Sequence, residues 1–390
     1  HSLFRKISRA MNCCSDVLHP LLDALGLKDF VPPKHEVGER ALPGAWTLGT
    51  PVDDHATPET TQLFENLKSK LGKRVMFGHQ DTTAEGVGWK GEQKSFKSDI
   101  HETCGDFPAV YGWDLGASGG VGDTNLDGVP FAPMKQWIKE AYARGGINTI
   151  SCHLDNPVTK WFKSAWDTTP AVPHILPGGK EHDEYMKTLD GIAAFLKDLT
   201  TDDGTCIPII LRIYHEHNQE WSWWSKKACS EADFKALWKM TIRHFRDTHH
   251  IHHVLYTYAP QDCDTEKKYM ERYPGDQWVD VLGFDWYMLQ PDGSWDWLGR
   301  SLSMLGKLGA EKKKPIALTE VGFGMTVPSA DWWTQHLLKA IQYNSSASQV
   351  AYCLVWRNVD EDVHFGPYPK SESAGDFQAF LKHEGTVFNR

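Results

Sequence analysis

Eight short runs rich in β-branched and aromatic residues, separated by longer segments of helical period, constrain the fold of this chain more than any other feature. The runs are Arg74–His79, Pro108–Asp114, Ile147–His153, Ile207–Glu216, His253–Pro260, Val279–Tyr287, Pro315–Glu320 and Val350–Trp356. Strands that alternate with helices build a parallel sheet, and eight such units close it into a barrel. The sequence therefore reads as α/β, a (β/α)8 TIM barrel. Amphipathic segments at Met134–Arg144, Glu184–Lys197, Glu231–Arg246, Asp296–Leu308 and Asp331–Tyr343 supply helices, with Ser329 as the expected cap of the last.

A single barrel with long loops accounts for 390 residues, and no repeat beyond the βα unit is visible. Residues 39–390 are read as one catalytic domain. Residues 1–38 are read as a lead segment, mixed in charge and lacking the apolar stretch of an intact secretory signal. No run of about 18 apolar residues occurs, so no membrane-spanning helix is expected. A formal charge of -10 argues against nucleic acid, because binding phosphates needs a basic field.

Of the eight cysteines, Cys152 and Cys353 sit in apolar runs where a thiol packs as a small hydrophobe. Cys13 and Cys14 are adjacent, and Cys229 and Cys263 fall in loops, which leaves one or two disulfides open without fixing a pairing. The 17 Trp, 17 Phe and 12 Tyr exceed what a core needs, and they crowd together at Trp221, Trp223 and Trp224. About half of the Trp residues would fill the core as a rough share; the remaining flat faces suit the C–H faces of sugar rings.

In such a barrel the C-terminal ends of the strands carry function. Those ends hold His79 and Gln80, Trp113 and Asp114, His153 and Asp155, and Arg212, His215 and Glu216. Tyr258, Asp285, Tyr287, Glu320, Trp356 and Arg357 follow on the later strands. Glu216 and Glu320 stand out because each ends an otherwise apolar strand, where a carboxylate must find a partner or a chemical task. Strands four and seven face each other across the mouth. Two carboxyl groups so placed can cleave a glycosidic bond, one protonating the leaving oxygen and the other attacking the anomeric carbon or activating water. A separation of about 5–5.5 Å gives retention, and about 6.5–9.5 Å gives inversion. The structural alternative pairs Glu216 with Arg212 and Glu320 with another basic neighbour. In the catalytic reading, His215 and Arg212 tune Glu216, and Tyr287 donates a hydrogen bond to Glu320.

The run Arg212-Ile213-Tyr214-His215-Glu216-His217-Asn218-Gln219-Glu220-Trp221-Ser222-Trp223-Trp224 resembles the signature of glycoside hydrolase family 26, most characterised members of which are endo-β-1,4-mannanases. Phe77-Gly78-His79-Gln80, Gly112-Trp113-Asp114, His153 with Asn156-Pro157, Asp285-Trp286-Tyr287, Thr319-Glu320-Val321-Gly322 and Trp356-Arg357-Asn358 extend the resemblance over about Phe77 to Asn358. It implies Glu216 as acid/base, Glu320 as nucleophile, His215 beside the acid and Tyr287 beside the nucleophile. It also implies that His153 and Trp356 line the subsite of the attacked mannose and that Trp221 stacks on the leaving side. The chain departs from the pattern at His217, where a bulky apolar residue is expected, and at Gln219-Glu220, which replace a Gly-Asp pair.

The resulting expectation is a monomeric, retaining endo-β-1,4-mannanase that binds β-mannan and needs no cofactor or metal. Its polymeric substrate places it outside the cell, in the periplasm or on the cell surface. Loops Ala117–Pro133 and Pro157–Lys180 are long enough to close one end of a cleft, so release of mannobiose by exo action is an alternative, as are β-1,3-xylan and mixed-linkage β-glucan substrates. Two further alternatives are a metal-dependent barrel hydrolase using His79, His153 and His215, suggested by 19 histidines, and a sugar-binding barrel without catalysis.

Overall fold

A computed structural model describes residues 49–91, 96–288, 295–324 and 328–389. The expected lead segment 1–38 lies outside the described residues, as do Cys13 and Cys14. The eight expected strands form a closed parallel barrel: β1 Val75–Gln80, β2 Val110–Asp114, β3 Ile147–Cys152, β4 Ile209–Ile213, β5 Val254–Tyr258, β6 Val281–Met288, β7 Ile316–Phe323 and β8 Val350–Val355. Pairing of β8 with β1, Met76 opposite Tyr352 through His79 opposite Val355, closes it.

Alternation along each strand sorts residues between the barrel interior and the shell under the helices. On β6, Val281 joins the inner cluster while Leu282 and Phe284 join the outer one. A Cβ on Gly283 would lie 2.9 Å from the side chains of Thr257 and Thr319, so this inward position needs glycine. Continuing by twos brings Asp285 and Tyr287 inward above it.

A helix absent from the sequence reading closes the lower end. Helix α1, Pro58–Lys70, starts at Thr57, whose hydroxyl accepts from the Thr60 amide, with proline at the first helical position. Its Leu63, Phe64 and Leu67 pack with Met76, Val110, Ile210, Leu255 and Val281 inside the barrel. The outer ring includes α2 Phe131–Ala143, α3 His182–Lys197, α4 Glu231–Arg243 and α5 Trp295–Lys312. Helix α6, Ala374–Lys382, precedes a short strand, Thr386–Asn389, which pairs with the first half of β1.

Two expected helices are less regular than their sequence pattern. The segment after Arg243 becomes a π-turn, His244–Thr248, and the one expected from Asp331 is a π-turn over Trp333–Leu338 followed by Lys339–Ile341. Ser329 does not cap it, since no side chain caps its first turn and the Ser329 hydroxyl bonds Asp331 instead. All six described cysteines are free thiols, including Cys229 and Cys263. Among the described residues no helix is long and apolar enough to cross a membrane.

Candidate active site

Glu320 faces inward because β7 breaks its own alternation. Ala317 belongs to the inner cluster and Leu318 to the outer, so strict alternation would point Thr319 in and Glu320 out. A register shift between Leu318 and Glu320 inserts one residue against β6, and such a bulge re-aims the chain. Both side chains then turn inward. The Thr319 hydroxyl donates to Asp285 at 2.5 Å, and Glu320 accepts from Arg212 and, at 2.5 Å, from the Tyr287 hydroxyl.

Glu216 reaches the mouth by a different break. The sequence predicts a strand through Glu216, but β4 ends at Ile213, and Tyr214 and Glu216 take left-handed backbone with φ of 54° and 52°. Such a conformation costs roughly 1–2 kcal/mol per non-glycine residue, so the surroundings must hold it. Tyr214 turns outward, where its hydroxyl bonds Tyr185 of α3 and Thr241 of α4. The Glu216 amide donates to Ala259 O at 2.8 Å, and the Trp224 indole donates to His215 O at 2.7 Å. Asn218 and Gln261 exchange hydrogen bonds, tying this turn to the end of β5. Trp223 donates to Leu154 O. Trp223 and Trp224 are thus buried struts, and only Trp221 of the trio faces the cleft, its indole donating to Glu216 Oε2 at 2.7 Å.

Electrostatics separate the two glutamates. Burial pushes the Glu216 carboxyl well above the usual range, and the negative charges of Glu320 and Asp285 push it the same way. It is therefore poised to carry a proton. Arg212 donates to Asp285 at 2.8 Å and also to Glu320. Burial opposes its charge, but these two carboxylates raise it and hold it cationic. The ion pair of Arg212 with Glu216 that the structural alternative required is therefore not formed; Arg212 binds the opposite strand, while its charge acts on Glu216 by opposing the upward shift.

The histidines form a relay beside the carboxyl groups. His153 Nδ1 lies 2.7 Å from Asp114, which also accepts from Ser151. Burial disfavours a charged His153, yet Asp114 and Glu320 together raise it, while His153 and Ser151 overcome burial to lower Asp114. His215 is held neutral by burial and by nearby Arg212 and His153. His153 Nε2 lies 3.2 Å from His215 Nε2, and His215 Nε2 lies 4.0 Å from Glu320. His79 lies apart, beside Asp99 and Asn358, so the three histidines of the metal alternative do not share one centre.

Three indoles surround His153. Trp166 stacks on it at 5.6 Å and 17°, Trp221 at 5.7 Å and 29°, and Trp356 meets it edge-on at 5.7 Å. Trp166, on the loop after β3, was not among the residues anticipated; its signal was a tryptophan in a long loop. Arg357 and Asn358 do supporting tasks, Arg357 binding Glu85 and Asp127 and Asn358 binding Asp99. His217 is buried between Phe234 and Tyr258, so the departure from the family pattern fills an apolar slot with another flat ring.

A barrel whose mouth sets a glutamate pushed toward its protonated form opposite an arginine-bound one, ringed by indoles, carries the pair of carboxyl groups that glycoside hydrolysis needs. The model of glycosyl hydrolase family 26 matches residues 52–319, and the chain belongs to that family. It is 33% identical over 355 residues to a mannan endo-1,4-β-mannosidase of Bifidobacterium adolescentis, a match covering 84% of this chain and 34% of that protein, so it spans about a third of that relative's length. A Bacillus subtilis mannan endo-1,4-β-mannosidase is 29% identical, with 74% of this chain and 76% of that protein covered. Among solved structures, a family 26 β-mannanase from Bacteroides ovatus superposes with a TM-score of 0.80 at 39% identity, covering 85% of this chain and 95% of that one. An endo-β-1,4-mannanase from Cellulomonas fimi superposes at 0.81 and 34% identity, covering 88% and 78%.

Proposed function

We propose that the protein is a retaining endo-β-1,4-mannanase, with Glu320 as nucleophile and Glu216 as acid/base. One observation carries this reading: burial and charge favour the proton on Glu216, while Arg212 and Tyr287 both present donors to Glu320. Glu320 attacks the anomeric carbon as Glu216 protonates the leaving oxygen. Departure of that oxygen leaves a glycosyl ester on Glu320. Glu216, now ionised, takes a proton from water, which attacks the same carbon and frees Glu320. His153, Trp356 and His215 line the attacked sugar, and Trp221 with Trp166 offers flat faces on the leaving side.

The relatives' activity on mannan supports the choice of polymer. One chain carries every residue of the site, so we take the monomer as the working unit. A polymeric substrate places that work outside the cytoplasm. Hydrolysis of linear mannan, followed by anomer-resolved NMR, tests the proposal. Retention by the intact protein and rescue of Glu320→Ala by azide as the inverted glycosyl azide support it. Near-normal hydrolysis by both Glu320→Ala and Glu216→Ala overturns it. Early release of long oligosaccharides marks endo action, whereas mannobiose alone marks exo action.

A further inference from the structure

On the flank of the barrel, far along the chain from either glutamate, Asp190 of α3 meets two histidines. Its Oδ1 lies 2.7 Å from His244 Nε2 and 2.8 Å from His249 Nε2, and the two nitrogens are 3.1 Å apart. The π-turn makes this possible. In a regular α-helix, residues five apart are rotated by about 140° and face different ways. Here the His249 amide bonds His244 O, and the wider turn brings the second imidazole beside the first, with ring centres 4.6 Å apart.

As a purely hydrogen-bonded group the arrangement is crowded, because two imidazole nitrogens that both face Asp190 Oδ1 lie only 3.1 Å from each other. As a ligand set it is well matched. With metal–ligand bonds of about 2.0–2.1 Å, these separations give angles of roughly 80–100° at a common centre. That is one face of an octahedron, two imidazoles and a carboxylate, with three positions left for water. We propose that Asp190, His244 and His249 bind one divalent transition-metal ion of the zinc or nickel type.

Two nitrogens favour such ions over magnesium or calcium, which prefer oxygen. The neighbouring cation is Lys197, whose Nζ lies 3.3 Å from His249 Nδ1. Binding moves the ring proton of each neutral imidazole from Nε2 to Nδ1, with no net release of protons, and Lys197 turns into solvent. The helices run antiparallel to the strands, which puts the end of α4 at the foot of the barrel, away from the catalytic mouth. An ion there would cross-link α3 to the turn after α4 and raise stability by binding the folded state alone.

The test is calorimetric titration of the full chain with zinc chloride, with melting temperature measured in parallel. His249-His250-Ile251-His252-His253 offers other nitrogens, although His252 is held by Asp53 and His253 by Leu196 O. His250→Ala is therefore the control. One equivalent of zinc with a higher melting temperature is expected, unchanged in His250→Ala and weakened about tenfold or more in His244→Ala, His249→Ala and Asp190→Asn. Asp190 and His249 are partly exposed, so their variants keep the fold, which circular dichroism checks. Absence of binding, or one equivalent retained with undiminished affinity in the His244 and His249 variants, overturns the proposal.

Discussion

Arg212 stands four residues before Glu216 but binds Glu320, on the far side of the barrel. One strand thus presents the acid/base and also fixes the nucleophile. Replacing Arg212 by Met leaves Asp285 and Glu320 buried without their cation, which costs about 3–5 kcal/mol. Urea denaturation should register that loss. Arg212→Lys keeps the charge but not the fork that reaches two carboxylates, so it should recover much of the stability and little of the activity.

Trp221→Phe keeps a ring at the leaving side and removes the hydrogen bond to Glu216. That bond favours the anion, so its loss raises the Glu216 carboxyl further. The basic limb of kcat/KM against pH should move to higher pH. A contribution of about 1–1.5 kcal/mol for the bond predicts a loss of roughly tenfold at the optimum. A basic limb that stays in place would show that another group sets it.

Tyr287→Phe removes a donor from Glu320 without emptying the site. The Tyr287 proton is firmly held, since burial and the Glu320 charge both raise its hydroxyl. Loss of this donor should lower kcat about 100-fold with little change in KM. Steady-state kinetics on a manno-oligosaccharide checks it.

The pair His153 and Asp114 makes stability depend on pH from both sides. A raised His153 contributes stability that is present below its ordinary value of 6.5 and lost as pH rises through the folded value. A lowered Asp114 contributes stability that is present above its ordinary 3.8 and lost as pH falls through the folded value. The stability gap between the intact protein and Asp114→Asn should therefore be widest between these two limits. Denaturation midpoints measured across that window and on both flanks check the shape.

Eight strands were legible because burial on both faces leaves continuous apolar runs, and the two glutamates because a carboxylate ending such a run is costly without a purpose. Alternation also gave Asp285 and Tyr287 their inward direction. It failed at Tyr214 and Glu320 for one reason: a left-handed residue or a bulge changes the face of every later side chain without changing composition. Arg212's partner was hidden because it depends on a distance across the barrel. Helix α1 could have been found, since Thr57, Pro58 and the spacing of Leu63, Phe64 and Leu67 form a start signal and an apolar face. The π-turn that brings His244 and His249 together leaves no comparable mark.

The two glutamates are mounted differently. Glu320 lies within a paired strand and shares its arginine with the barrel interior, whereas Glu216 is itself left-handed, like Tyr214 two residues before it, in a turn held by tyrosine, indole and amide contacts at the strand's edge. Warming should loosen these attachments unequally. The proton donor should drift out of line while the barrel stays intact, so turnover should fade at temperatures where the protein remains folded.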